Sequence, residues 1–86
     1  MTKVIKFYAD WCGPCKVYSK AWDKVVNELN EQVEFVEINV EKDTSGLAAK
    51  YKVNGIPHTV VHRKDGTKEE VGGRMSVEKL REFILK

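Results

Sequence analysis

The chain has 86 residues, 33% of them charged, and its 15 basic and 13 acidic side chains leave a formal net charge of +2. That length serves one small core and predicts a single domain over residues 1–86, and lysines interspersed with glutamates argue against a nucleic-acid surface. No run approaches the roughly 18 consecutive apolar residues that span a bilayer, and two cysteines are too few for the disulfide framework of a small secreted domain.

The opening "MTKVIKFYAD" lacks the apolar core and small-residue cleavage site of a secretory leader, so the expectation is a cytoplasmic protein. Val4 to Tyr8 is short, β-branched and aromatic, the composition of a largely buried strand. From Pro14 to about Asn30, Val17, Tyr18, Ala21, Trp22, Val25, Val26 and Leu29 recur at helical spacing. Val33 to Val40 predicts a second strand with Val36, Ile38 and Val40 on one face. Asp43, Thr44 or Ser45 can cap a short helix carrying Leu47, Ala48 and Tyr51, which stops before Asn54-Gly55. After Pro57, "HTVVHR" predicts a third strand, and Asp65-Gly66 turns it into a charged fourth strand from Thr67 to Val71. Lys68, Glu69 and Glu70 suit an exposed sheet edge. Gly72-Gly73 breaks the chain, and Ser76 caps a last helix that buries Val77, Leu80, Phe83 and Ile84. The order β-α-β-α-β-β-α predicts an α/β fold with a four-stranded mixed sheet flanked by helices.

Cys12 and Cys15 lie where the first strand gives way to the first helix, a junction at which open α/β sheets place their sites. A disulfide across four residues is a poor staple, because stabilisation grows with the loop it closes. Zinc is disfavoured by geometry. His58 and His62, the only histidines, sit in a strand roughly 13 Å apart at about 3.3 Å per residue, too far to share one ion. A redox couple fits best. A helix N-terminus favours thiolate over thiol, which makes Cys12 the nucleophile, and Cys15 lies one turn on with its side chain directed inward. Gly13 lets a partner's backbone approach, and Pro14 suits a first turn whose N–H has no helical partner.

"ADWCGPCK" resembles the active-site signature of thioredoxins, "GIPHTVV" at Gly55 to Val61 resembles their loop bearing a cis-proline, and "EVGGR" resembles their glycine-bearing substrate groove. The resemblance implies a minimal thioredoxin fold and a protein-disulfide reductase. Cys12 attacks a substrate disulfide and Cys15 resolves the mixed disulfide. It further implies a substrate groove of Trp11, Gly13, Pro14, Ile56, Pro57, Gly72 and Gly73, with Ile56-Pro57 in cis. No metal or bound cofactor is implied beyond the Cys12–Cys15 disulfide. The implied partners are disulfide-containing proteins and an NADPH-dependent thioredoxin reductase, with the chain itself a monomer.

Three departures accompany the resemblance. No residues remain for the additional strand and helix that thioredoxins place before the strand leading to the cysteines, which gives the chain the size of a glutaredoxin. Lys20 stands where many thioredoxins carry a helix-kinking proline, so a straighter helix is expected. Thioredoxins also bury an aspartate six positions before the first cysteine, near a lysine on the adjacent strand; here those positions are Lys6 and Glu37. One reading pairs Lys6 with Glu37 beneath the site and lets Glu37 take the proton of Cys15. The other leaves both charges exposed and idle. The competing functions are a glutathione-dependent, glutaredoxin-like reductase and a non-catalytic binding subunit that uses the fold as a clamp.

Overall fold

A computed structural model describes residues 1–86. Strand β1, Thr2–Tyr8, buries Val4, Ile5, Lys6 and Phe7 in succession. The strand order β2-β1-β3-β4 explains that run: β1 has a neighbour on each side, and both of its faces are covered. Helix α1, Gly13–Leu29, follows after the turn from Ala9 to Cys12, and β2, Val33–Asn39, returns parallel to β1. Helix α2 is one turn, Leu47–Lys50. Strand β3, His58–His62, runs antiparallel to β1 and pairs with β4, Lys68–Gly72, before helix α3, Val77–Leu85, closes the chain. No helix is long and apolar enough to cross a membrane.

Two apolar layers hold the sheet. On one side Tyr18, Trp22 and Val25 of α1 and Leu80 and Phe83 of α3 pack on Val4 and Val61. On the other, Ile5, Phe7, Ile38 and Val60 lie beneath Leu47, Tyr51 and Val53, with Val36 and Val40 on the same layer. The Asp65-Gly66 turn forms as the dipeptide predicts: Gly66 has φ 92°, Arg63 N–H donates to Thr67 O at 2.9 Å, and Asp65 Oδ1 accepts the Thr67 N–H. Ser76 caps α3 by accepting from Lys79 N–H at 3.2 Å.

Two local expectations change. The N-cap of α2 is Gly46, at φ 75°, instead of Asp43, Thr44 or Ser45. Asp43 still shapes that turn, because its carboxylate accepts from the N–H groups of Ser45, Gly46 and Ala48. Those three bonds draw its carboxyl below the usual range, together with the Ser45 hydroxyl, the strongest influence on it. Val17, at an apolar position of the α1 repeat, is half-exposed, because it lies on the edge of the helix stripe whose centre is Tyr18, Trp22 and Val25.

Tyr18 and Thr59 share a hydrogen bond of 2.7 Å in the interior, and burial pushes the Tyr18 phenol up to about 12. Thr59→Val keeps the shape but leaves that hydroxyl unpartnered, which costs about 1–3 kcal/mol. A urea titration should show the lower midpoint at unchanged slope, and adding Tyr18→Phe should recover most of the loss.

Candidate active site

The site begins with how α1 starts. Cys12 is its N-cap, in extended conformation (φ −82°, ψ 109°), and Cys12 Sγ accepts from Cys15 N–H at 3.2 Å. A sulfur stands where a capping oxygen usually does, so part of the helix's unpaired N–H potential falls on Cys12. Pro14, in the first turn, brings no N–H of its own to that end. Cys12 and Cys15 form a disulfide with Cα atoms 5.2 Å apart, and both residues are almost fully covered, 4% and 2% exposed. Cys12 Sγ lies 3.9 Å from Ile56 O, and the Ile56–Pro57 peptide bond is cis. Gly73, at φ 87°, donates its N–H to Pro57 O at 2.8 Å, which ties the β4–α3 turn to the proline loop.

These contacts bring together most of the residues the sequence nominated. Trp11 is 67% exposed beside the cysteines and lines, with Val40, Ala48, Val53 and Ile56, a hollow of about 420 Å³. A Cβ built on Gly13 meets nothing within 4 Å, so the space at that residue, next to Cys12, is open. His58 and His62 have separate partners: His58 Nε2 lies 2.8 Å from Glu70 Oε1, and His62 bonds to Tyr51.

Beneath the disulfide, Lys6 is 1% exposed. Its Nζ lies 3.0 Å from Glu37 Oε1, and the two residues are direct partners in the parallel β1–β2 register. The ammonium also sits 5.0 Å from the Trp22 ring centroid and 5.3 Å from that of Tyr8. Of the two sequence readings, pairing is the one observed. It is lopsided, though: Glu37 stands on an edge strand with its side chain 50% exposed, and it contacts Lys6 rather than a cysteine.

Sequence reasoning missed two residues here. Ser19 Oγ accepts from Lys6 Nζ at 3.5 Å and donates to Cys15 O at 3.1 Å, so it links the buried amine to the cysteine turn. A serine four residues after Cys15 is the detectable signal, since a helical hydroxyl readily bonds the i−4 carbonyl. Asp10 lines a hollow of about 180 Å³ together with Cys15 and Ser19, whereas Glu37 does not. Nothing in its exposed, loop-like setting marks Asp10 in the sequence.

A dithiol–disulfide couple capping a helix over a four-stranded mixed sheet defines a redox protein class. Comparison with known proteins narrows it. The Thioredoxin family model matches residues 1–86. Thioredoxin from Mycoplasma pneumoniae is 33% identical over 81 residues, covering 94% of this chain and 78% of that protein. Thioredoxin-T from Drosophila melanogaster is 35% identical over 83 residues, 96% of this chain and 52% of that one. The X-ray structure of Fasciola hepatica thioredoxin superposes with a TM-score of 0.82 at 35% identity, covering 98% of this chain and 78% of that structure. The chain belongs to the thioredoxin family. It spans only 38% and 52% of the length of two curated relatives, a Theileria parva thioredoxin domain-containing protein and Thioredoxin-T.

The ion pair makes an asymmetric stability prediction. Glu37→Gln leaves a buried ammonium without its counter-charge and should cost about 1–3 kcal/mol, less than a fully buried pair because Glu37 is half in water. Lys6→Met keeps the buried stem and leaves Glu37 to be solvated, so it should lie within about 1 kcal/mol of the parent protein. Paired urea titrations of the two variants test the order.

Proposed function

We propose that the protein reduces disulfide bonds in other proteins through the Cys12–Cys15 couple, and the observation that carries this reading is Cys12 as sulfur cap of α1, bonded to Cys15. In the reduced protein the Cys12 thiolate attacks one sulfur of a substrate disulfide. A Cys12–substrate disulfide forms, and the other substrate sulfur departs as a thiolate. Cys15 then loses its proton and attacks Cys12 Sγ, which expels the second substrate sulfur. Two electrons pass to the substrate, two protons end on its thiols, and Cys12–Cys15 is left oxidised.

Trp11, Gly13, Pro14, Ile56, Pro57, Gly72 and Gly73 hold the substrate segment over Cys12. The Ile56–Pro57 loop, tied to Gly73, offers a backbone edge beside that sulfur. The candidate acceptors of the Cys15 proton are Glu37, held by Lys6, and Asp10, which shares a hollow with Cys15; Ser19 bonds the Cys15 carbonyl oxygen and Lys6, so it positions the amine without touching the sulfur. The protein works as a monomer in a reducing cytoplasm, where an NADPH-dependent thioredoxin reductase returns the couple to the dithiol. A glutathione-fed cycle is the competing source of electrons.

Cys12→Ser should abolish reduction of a protein disulfide, a loss that a non-catalytic clamp would not feel. Cys15→Ser should accumulate a mixed disulfide at Cys12, visible as a reductant-sensitive band on a gel. Supplying NADPH with thioredoxin reductase, or glutathione with its own reductase, separates the two electron sources by NADPH consumption. For the proton path, Glu37→Gln and Asp10→Asn should be compared for resolution rate across pH 6 to 9 at equal Cys12 attack rate. Slowing at neutral pH in only one of them identifies the acceptor, and slowing in neither rejects both.

A further inference from the structure

α1 and the β4–α3 turn line a groove of about 560 Å³. Its floor includes Val17 and Ala21, and Val17 is 50% exposed. Around that floor stand Lys20, Lys24, Arg74 and Lys79, all exposed, with no carboxylate among the lining residues. None of the four lies within 4 Å of an acidic group, whereas Lys42, Arg63, Lys68, Arg81 and Lys86 all do. Of the acidic residues on the same helices, Glu28 is engaged by Arg81 and also feels the charge of Lys24, and Asp23, Glu78 and Glu82 lie outside the groove lining. A chain of net charge +2 therefore gathers four cations without a contact ion pair along one short wall.

Two of the lining residues adjoin the site along the chain. Val17 follows Cys15 by two residues, and Arg74 follows Gly73, whose N–H is bonded to Pro57 O. Positions 17, 20, 21 and 24 form one stripe of α1, possible because the helix continues unbroken through Lys20. From 17 to 24 the stripe runs roughly 10 Å at about 1.5 Å per residue, the length of about three extended residues at about 3.3 Å each.

Building on the reading that Cys12 and Cys15 reduce protein disulfides, we infer that this groove selects substrates whose cystine is flanked by acidic residues. About three residues of the substrate lie along α1, with their carboxylates against Lys20, Lys24, Arg74 and Lys79 and their apolar parts over Val17 and Ala21. Charge complementarity of this kind acts mainly on association and is screened by salt.

The test uses two synthetic disulfide-looped peptides, identical except that the three residues on each side of the loop are Glu in one and Gln in the other. The rate constant for their reduction by the dithiol protein is followed by release of peptide thiol. The Glu peptide should react about tenfold faster at low ionic strength, the sum of several weak exposed pairs. That advantage should shrink toward unity at about 1 M salt, where the screening length falls to about 3 Å. Combining Lys20→Gln, Lys24→Gln and Arg74→Gln, with the urea midpoint confirming the fold, should bring the Glu to Gln rate ratio to about one. Equal rates with the parent protein, or a ratio unchanged by the three substitutions, would overturn the inference. So would equal peptide rates combined with inhibition by a short oligonucleotide, which would assign the groove to phosphates. A small neutral disulfide is the control: if it is reduced while the peptides react equally, the groove assignment fails alone. If the parent protein reduces no disulfide at all, the redox reading fails and the groove assignment with it.

Discussion

The packing of α1 across β1 is the constraint from which the site follows. Tyr18, Trp22 and Val25 lock the helix onto the sheet over Val4, and that contact fixes where the helix starts relative to the end of the strand. A seven-residue strand and a seventeen-residue helix then leave four residues, Ala9 to Cys12, to make the turn. The last of these becomes the cap. Cys12 gains its helix N-terminal environment because the core positions the helix, and Cys15, one turn deeper, is covered in a small cluster with Ala9 and Cys12 against Tyr8, Val40 and Ile56. The proline loop and Gly73 complete the surroundings from the far strand pair through a single backbone hydrogen bond.

Lys6 is the second consequence of that packing. A residue in the middle of a central strand has no route to water except along its own stem, and here the stem runs beneath Trp22 to the sheet edge, where Glu37 meets it. The arrangement tolerates a buried cation because the counter-charge stands on the adjacent edge strand in direct register. One partner remains half in water, so the desolvation penalty falls mainly on the lysine. A pair built this way connects the interior beneath the cysteines to solvent.

The absence of a proline from α1 beyond its first turn also bears on the protein's outer face. An unbroken helix keeps Val17, Lys20, Ala21 and Lys24 on one straight stripe, and that stripe lies against the turn carrying Arg74. The buried side of α1 serves the fold, and its flank lines the groove shared with the β4–α3 turn.

Much of this was legible from the residues. Period-3.6 and β-branched runs located α1, α3 and the first three strands, Asp65-Gly66 marked the hairpin and with it the charged fourth strand, and the cysteine spacing at a strand–helix junction singled out the redox pair. Local chemistry decides those features, because turn residues, caps and apolar period act over a few neighbouring positions. What needed tertiary structure was everything set by which side chains share a space. Whether Lys6 is buried or exposed, that Ser19 joins it to Cys15, that Asp10 shares a hollow with that cysteine, and that Val17 faces outward all depend on strand order and helix rotation. The four cations of the groove are scattered over sixty residues of sequence and look like ordinary solvated charge. Only the approach of the β4–α3 turn to α1 brings them together without an intervening carboxylate.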